Sequence, residues 1–146
     1  MKFAYALVAG FLSLAATNPT NTLAQNAPTI VTPDKIEFRS RPNSPANAVL
    51  YGNPAGQGVY VQRVKLGKNE KIMPHTHPDD RTVVVLSGTM YVGFGDVFDE
   101  GKLVALPPGS FFTEPANLPH YNWAKDDEVI VQVTGTGPSA PVPLKK

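Results

Sequence analysis

The chain has 146 residues, enough for one domain with a sizeable core, and a formal net charge of +1 with no run of like charge. That balance leaves no electrostatic footprint for nucleic acid. The absence of cysteine excludes disulfides and thiolate metal ligation, and 15 prolines with 12 glycines favour many turns over long helices.

In chain order, residues 1–24 read as a secretory signal. Lys2 precedes an apolar stretch, residues 3–16, that is too short to span a bilayer comfortably, and a polar segment ends at Thr22-Leu23-Ala24. Cleavage after Ala24 leaves a secreted domain with no membrane span, and the periplasm is its expected location. Residues 25–34 form a flexible lead-in of Asn, Ala, Pro and Thr. Residues 35–38 alternate as a short edge strand, 39–45 read as a loop, and 48–51 read as a strand closed by the turns around Gly52 and Gly56.

Residues 59–66 form the first clear strand, and Gly67-Lys68-Asn69 turns it into a strand carrying His75 and His77. Pro78-Asp79-Asp80 breaks the pattern before a buried strand over 82–86, and Ser87-Gly88 is a hairpin candidate that returns the chain through 89–94. The acidic loop 95–101 carries Asp96, Asp99 and Glu100 at a spacing that fits no standard calcium loop, so it reads as a solvated turn. Short strands follow over 103–106, 110–114 and 119–123, and 128–133 closes a domain spanning 35–134. Residues 135–146, rich in Gly, Pro and Ser, read as a loose tail. Eight or nine short strands with regular turn punctuation predict an all-β, double-sheet jelly-roll barrel.

The chemistry concentrates in two stretches, His75-Thr76-His77 and the segment from Pro115 to His120, which hold all three histidines of the sequence. Residues i and i+2 of a strand face the same way, so His75 and His77 can aim at one point. A third histidine on a neighbouring strand completes a facial set of nitrogens around a divalent metal, with positions left open for water or substrate. Imidazole does not distinguish iron, zinc, nickel, manganese or copper. The same residues also read as two surface histidines in a Pro-Asp turn and one core histidine.

The flanking residues resemble the two motifs of the cupin superfamily, and the resemblance covers roughly residues 59–133. The motif G-x5-H-x-H-x3,4-E-x6-G is similar to Asn69-x5-His75-x-His77-x3-Arg81-x6-Gly88. The motif G-x5-P-x-G-x2-H-x3-N is similar to Gly109-x5-Pro115-Ala116-Asn117-x2-His120-x3-Ala124. Asn69 and Asn117 stand where glycine is usual, and Asn is the residue after glycine most tolerant of positive φ. The resemblance implies a small single-domain cupin with His75, His77 and His120 as metal ligands and with homodimers through sheet edges common.

Arg81 departs from the pattern by occupying the position of the carboxylate ligand. A guanidinium cannot deprotonate to ligate, and a cation beside a divalent ion is repelled. Three placements are open. Arg81 swings outward to Asp79 or Asp80, it points inward to hold an anionic substrate, or the site is dead. Glu114 and Asp80 are candidates for a replacement carboxylate, and Glu114 is equally a partner for Arg81. Asn122 shares a strand face with His120 and is expected beside the metal, bonding a water or substrate or tying down a loop. The aromatics Tyr91, Phe94, Phe111, Phe112, Tyr121 and Trp123 are expected mostly in the core, with Met73 and Met90 as core fillers.

Two functions follow from the resemblance. One is a metal-dependent enzyme on a small anionic substrate, a dioxygenase or an isomerase or decarboxylase. Its alternative is a non-catalytic cupin module that binds a small ligand or metal.

Overall fold

A computed structural model of the protein describes residues 28–42 and 44–144. The signal expected over 1–24 and the start of the lead-in lie outside the described residues. The described chain forms eleven strands: β1 (Arg39–Arg41), β2 (Ser44–Tyr51), β3 (Gly58–Leu66), β4 (Glu70–Thr76), β5 (Arg81–Ser87), β6 (Met90–Phe94), β7 (Val104–Leu106), β8 (Phe111–Glu114), β9 (His120–Ala124), β10 (Val129–Gly137) and β11 (Val142–Pro143). They build two antiparallel sheets, one ordered β1-β2-β3-β10-β5-β8 and the other β11-β4-β9-β6-β7. This is the all-β jelly roll that the strand spacing predicts.

Period-2 alternation decides which side chains meet between the sheets. On β5, Arg81, Val83 and Val85 are buried while Thr82 and Leu86 are exposed. On β10, Val129, Val131 and Val133 are buried in the same way. These valines form the core with Tyr60, Leu66, Met90, Val92 and Ala124. Burying a side chain of this kind contributes about 1.5–3 kcal/mol, so the valine rows are the main adhesive between the sheets.

Four local expectations change. Residues 36–38 are not a strand; a 3₁₀ turn at Pro33–Lys35 precedes them, and β1 and β2 occupy most of what reads as a loop. Ser87-Gly88 is not a hairpin, because β5 and β6 lie in different sheets and the chain crosses between them there. Residues 135–144 are not a loose tail: β10 runs on to Gly137, and β11 pairs Pro143 with His75 and Val142 with Thr76. Among the aromatics, Tyr121 and Trp123 are buried but Phe94 and Phe111 are exposed, and Met73 is 60% exposed whereas Met90 is core.

Asn69 and Asn117 adopt φ of 64° and 60°, the left-handed conformation expected where glycine is usual. Gly135 serves a different purpose. Across the ladder it faces Tyr60, whose hydroxyl donates to Asp79 Oδ2 at 2.9 Å. A Cβ at Gly135 would collide with Asp79 Oδ2 and stand 2.6 Å from the Tyr60 hydroxyl. Gly135→Ala is therefore expected to destabilise the protein by about 1–3 kcal/mol through overpacking. The check is the urea midpoint, and an unchanged midpoint would mean that the Tyr60–Asp79 pair yields freely.

Candidate metal centre

The site begins with a defect in a ladder. Ile72 pairs with Asn122 and His75 pairs with His120, so Met73 and Pro74 together stand opposite Tyr121. This is a β-bulge, and Pro74 suits it because proline lacks the N–H that a regular ladder needs. The extra residue changes which side chains face inward. Ile72 lines the cavity between the sheets, and beyond the bulge His75 and His77 do so as well. On β9, His120 and Asn122 are buried on the facing strand.

The loops carrying the two motifs are fastened to each other. Asn117 N donates to the His77 carbonyl at 2.7 Å, and Ala116 N donates to Asp80 Oδ1 at 2.8 Å. Asp79 turns inward to the Tyr60 hydroxyl. Burial, ahead of the hydrogen bond to Asp79, raises the pKa of Tyr60.

One nitrogen from each of the three histidines falls in a group whose members all lie within 4.8 Å of one another. Met73 and Leu118 carbonyls each sit 2.9 Å from the Nδ1 atoms of His75 and His120 respectively. A carbonyl only accepts, so each Nδ1 carries the proton and each Nε2 presents a lone pair. Such backbone bonds fix the tautomer and ring orientation of histidines that ligate metals. Both ring nitrogens of His77 and Nε2 of His120 are buried without a hydrogen-bond partner. Buried polar atoms are nearly always satisfied, so these free nitrogens fit a cation between them.

Burial, then the neighbouring His120, brings the pKa of His75 down to about 4. Burial, then the Arg81 cation, brings that of His77 down to about 2. Both rings are neutral at neutral pH, the form that ligates metal.

Arg81 does not swing outward to Asp79 or Asp80. It lies on the inward row of β5 with Val83 and Val85, and its guanidinium forms a buried ion pair with Glu114. The two residues are directly opposite across β5 and β8. Asp79 and Asp80 are occupied elsewhere, as described. Glu114 is 4% exposed, and its other oxygen lies 3.5 Å from His120 Nε2.

Arg81, Glu114, Asn122, His75 and His77 all line one cavity of about 420 Å³. Val83, Val131 and Val133 line it as well. Sequence reasoning missed Gln62 and Met73 on its wall, and Pro141 and Pro143, which reach it from the segment read as a tail. The bulge at Pro74 was the available signal for Met73; no sequence feature singles out the others.

The two antiparallel sheets form a double-stranded β-helix, and the three histidines gather between them. The Cupin domain family matches residues 62–134, half of the sequence, and the chain belongs to that family. It is 28% identical over 129 residues to putative germin-like protein subfamily 1 member 12 of Arabidopsis thaliana, covering 74% of this chain and 58% of that protein. It is 30% identical over 112 residues to germin-like protein 3-1 of Oryza sativa subsp. japonica, covering 76% and 44% respectively. The chain thus spans about half the length of the curated relatives it matches. Among solved structures, the polyketide cyclase RemF from Streptomyces resistomycificus superposes with a TM-score of 0.68 at 16% identity, covering 82% of this chain and 87% of that one. That likeness is one of fold.

The depressed histidine pKa values set a stability slope for the metal-free protein. Below the ordinary value of 6.5 the unfolded chain takes up protons that folded His75 and His77 refuse. Stability therefore rises with pH between about 4 and 6.5 and falls as pH drops through that window. Urea midpoints of metal-free protein at pH 7 and pH 5 should differ in that direction. A His75→Gln/His77→Gln variant should flatten the difference, and an unchanged slope would place the proton uptake elsewhere.

Proposed function

We propose that this cupin binds a divalent metal through His75, His77 and His120 and acts as a metal-dependent enzyme on a small anionic molecule. The observation that carries this reading is the gathering of one nitrogen from each of three buried histidines within 4.8 Å of one another, with both nitrogens of His77 and Nε2 of His120 left without a partner. When bound, the ion supplies Lewis acidity or, if it is iron, redox chemistry with oxygen, which leaves an isomerase, a decarboxylase and a dioxygenase as the reaction classes.

The cavity's own residues set the charge of the substrate. The histidines are ligands in neutral form, and the charges of Arg81 and Glu114 cancel within their pair. A divalent ion then leaves a net positive centre in a low-dielectric cavity, where an anionic group is strongly favoured. The unpartnered Oδ1 of Asn122 accepts a hydrogen bond from a hydroxyl or water at the same wall. Val83, Val131 and Val133 enclose the apolar part of the molecule and exclude water from it.

A non-catalytic binding module is favoured by one specific observation. Glu114, the carboxylate on the cavity lining and the side chain there best suited to proton transfer besides the histidines, is tied up in an ion pair with Arg81. Export to the periplasm is the location proposed with either reading, on the strength of residues 1–24.

The test is metal content by mass spectrometry of protein purified without a histidine tag, beside a His77→Ala variant. Near-stoichiometric metal in the wild type and its loss in the variant is the expected result. Absence of metal after reconstitution with ferrous iron, zinc, nickel, manganese and copper overturns the proposal. With the loaded protein, consumption of a small carboxylate or enolate separates the enzyme from the binding module, which retains its ligand unchanged.

A further inference from the structure

The contact between Glu114 and His120 is not an ordinary one. His120 is fully buried and commits its Nδ1 proton to the Leu118 carbonyl, so its Nε2 is a bare acceptor. Facing it at 3.5 Å is an oxygen of Glu114, also an acceptor when ionised. Two buried acceptors pointed at each other with no donor between them repel, unless a cation lies between. Two donors each about 2.0–2.2 Å from one ion stand roughly 3.0–3.6 Å apart, and the observed separation falls in that span.

We infer that Glu114 is the carboxylate ligand of this metal centre, supplied from β8 in place of the residue at position 81. The inference rests on the three-histidine reading above and adds a fourth protein donor to it. Glu114 stands beside the histidine trio, touching it at His120, and its two oxygens have different tasks. One faces Nε2 of His120; the other receives the Arg81 guanidinium. Arg81 is thus a positioning residue. Its Nη2 grips one carboxylate oxygen and leaves the other facing His120.

Register explains how the donor reaches the site from a different strand. Arg81 and Glu114 are a directly opposed antiparallel pair, and such pairs project to the same face with Cβ atoms about 4.5–5.5 Å apart. A glutamate side chain spans that offset, and in this structure its carboxylate meets the histidine trio at His120. The residue left at position 81 then supplies a fixed countercharge.

The experiment titrates Co²⁺ into metal-free wild type and into Glu114→Gln, following affinity by chelator competition and coordination by the visible absorption of the cobalt. The expected result is an affinity loss of at least about tenfold, with a changed band intensity and position in the variant. Equal affinity with an unchanged spectrum overturns the inference while leaving the three-histidine site standing. Failure of the wild type to bind Co²⁺ at all removes both.

Because Glu114→Gln strands the Arg81 cation in the interior, an Arg81→Gln/Glu114→Gln protein is run beside it. Removing a cation near the ion by itself favours metal binding. A weaker affinity and an altered spectrum in the double variant therefore trace to Glu114, and retention of the wild-type spectrum again overturns the inference.

Discussion

The site depends on one irregularity, the bulge at Met73 and Pro74 in β4. In a regular strand the inward row that contains Ile72 would continue through Pro74 and Thr76, leaving His75 and His77 on the opposite face. Two residues opposite Tyr121 instead of one reverse that parity, so His75 comes to pair directly with His120. The same local geometry places the Met73 carbonyl on Nδ1 of His75 and thereby frees Nε2. Removing one residue from the strand would turn both histidines of the first motif away from the cavity.

Around this bulge the structure fixes the loops that follow. His77 lies one residue past β4, where no ladder holds it. Its backbone carbonyl is gripped instead by the N–H of Asn117, which reaches it from a left-handed turn. Asp80 accepts from the next-door Ala116, and Asp79 is buried against Tyr60 and Gly135. The two motifs are therefore one mechanical unit, joined by a backbone bond and by Asp80, while Asp79 anchors the first motif to β3. The Pro-Asp-Asp segment, which looks like a solvent turn in the sequence, works as the clasp between them.

Much of this was legible in the residues. The spacing of the histidines, the asparagines at positions that need positive φ and the strand punctuation all agree with the fold and the gathering of the trio, because each is a local requirement of the backbone. What escaped was non-local. Ser87-Gly88 carries a turn signal, yet a turn signal does not say whether the next strand joins the same sheet. Residues 135–144 are short of apolar side chains, but β11 is held by backbone pairing with β4, to which composition is blind. The sequence left Arg81 several placements, an inward one and a pairing with Glu114 among them, for a subtler reason. Starting the strand at Thr82 hides that Arg81, Val83 and Val85 form one alternating inward row, which puts the guanidinium in the cavity by the same rule that buries the valines.

That placement raises the question of why an arginine and a glutamate share the interior at all. A buried ion pair gains little net stability, since desolvation of both charges offsets their attraction, and an apolar pair of similar volume is often as stable or more so. The wall around it, with Val83 and Phe112 as neighbours in register, would accommodate such a replacement. Stability alone therefore does not account for Arg81 and Glu114. Position does. The pair sits against the histidine trio, is neutral as a unit, and presents a single carboxylate oxygen to the free nitrogen of His120. In the metal centre proposed above, an arrangement of that kind would add a hard oxygen donor to three imidazoles without changing the net charge of the cavity. In the proposed centre, the charge a ligand meets would then come from the ion and from Arg41 on the cavity lining.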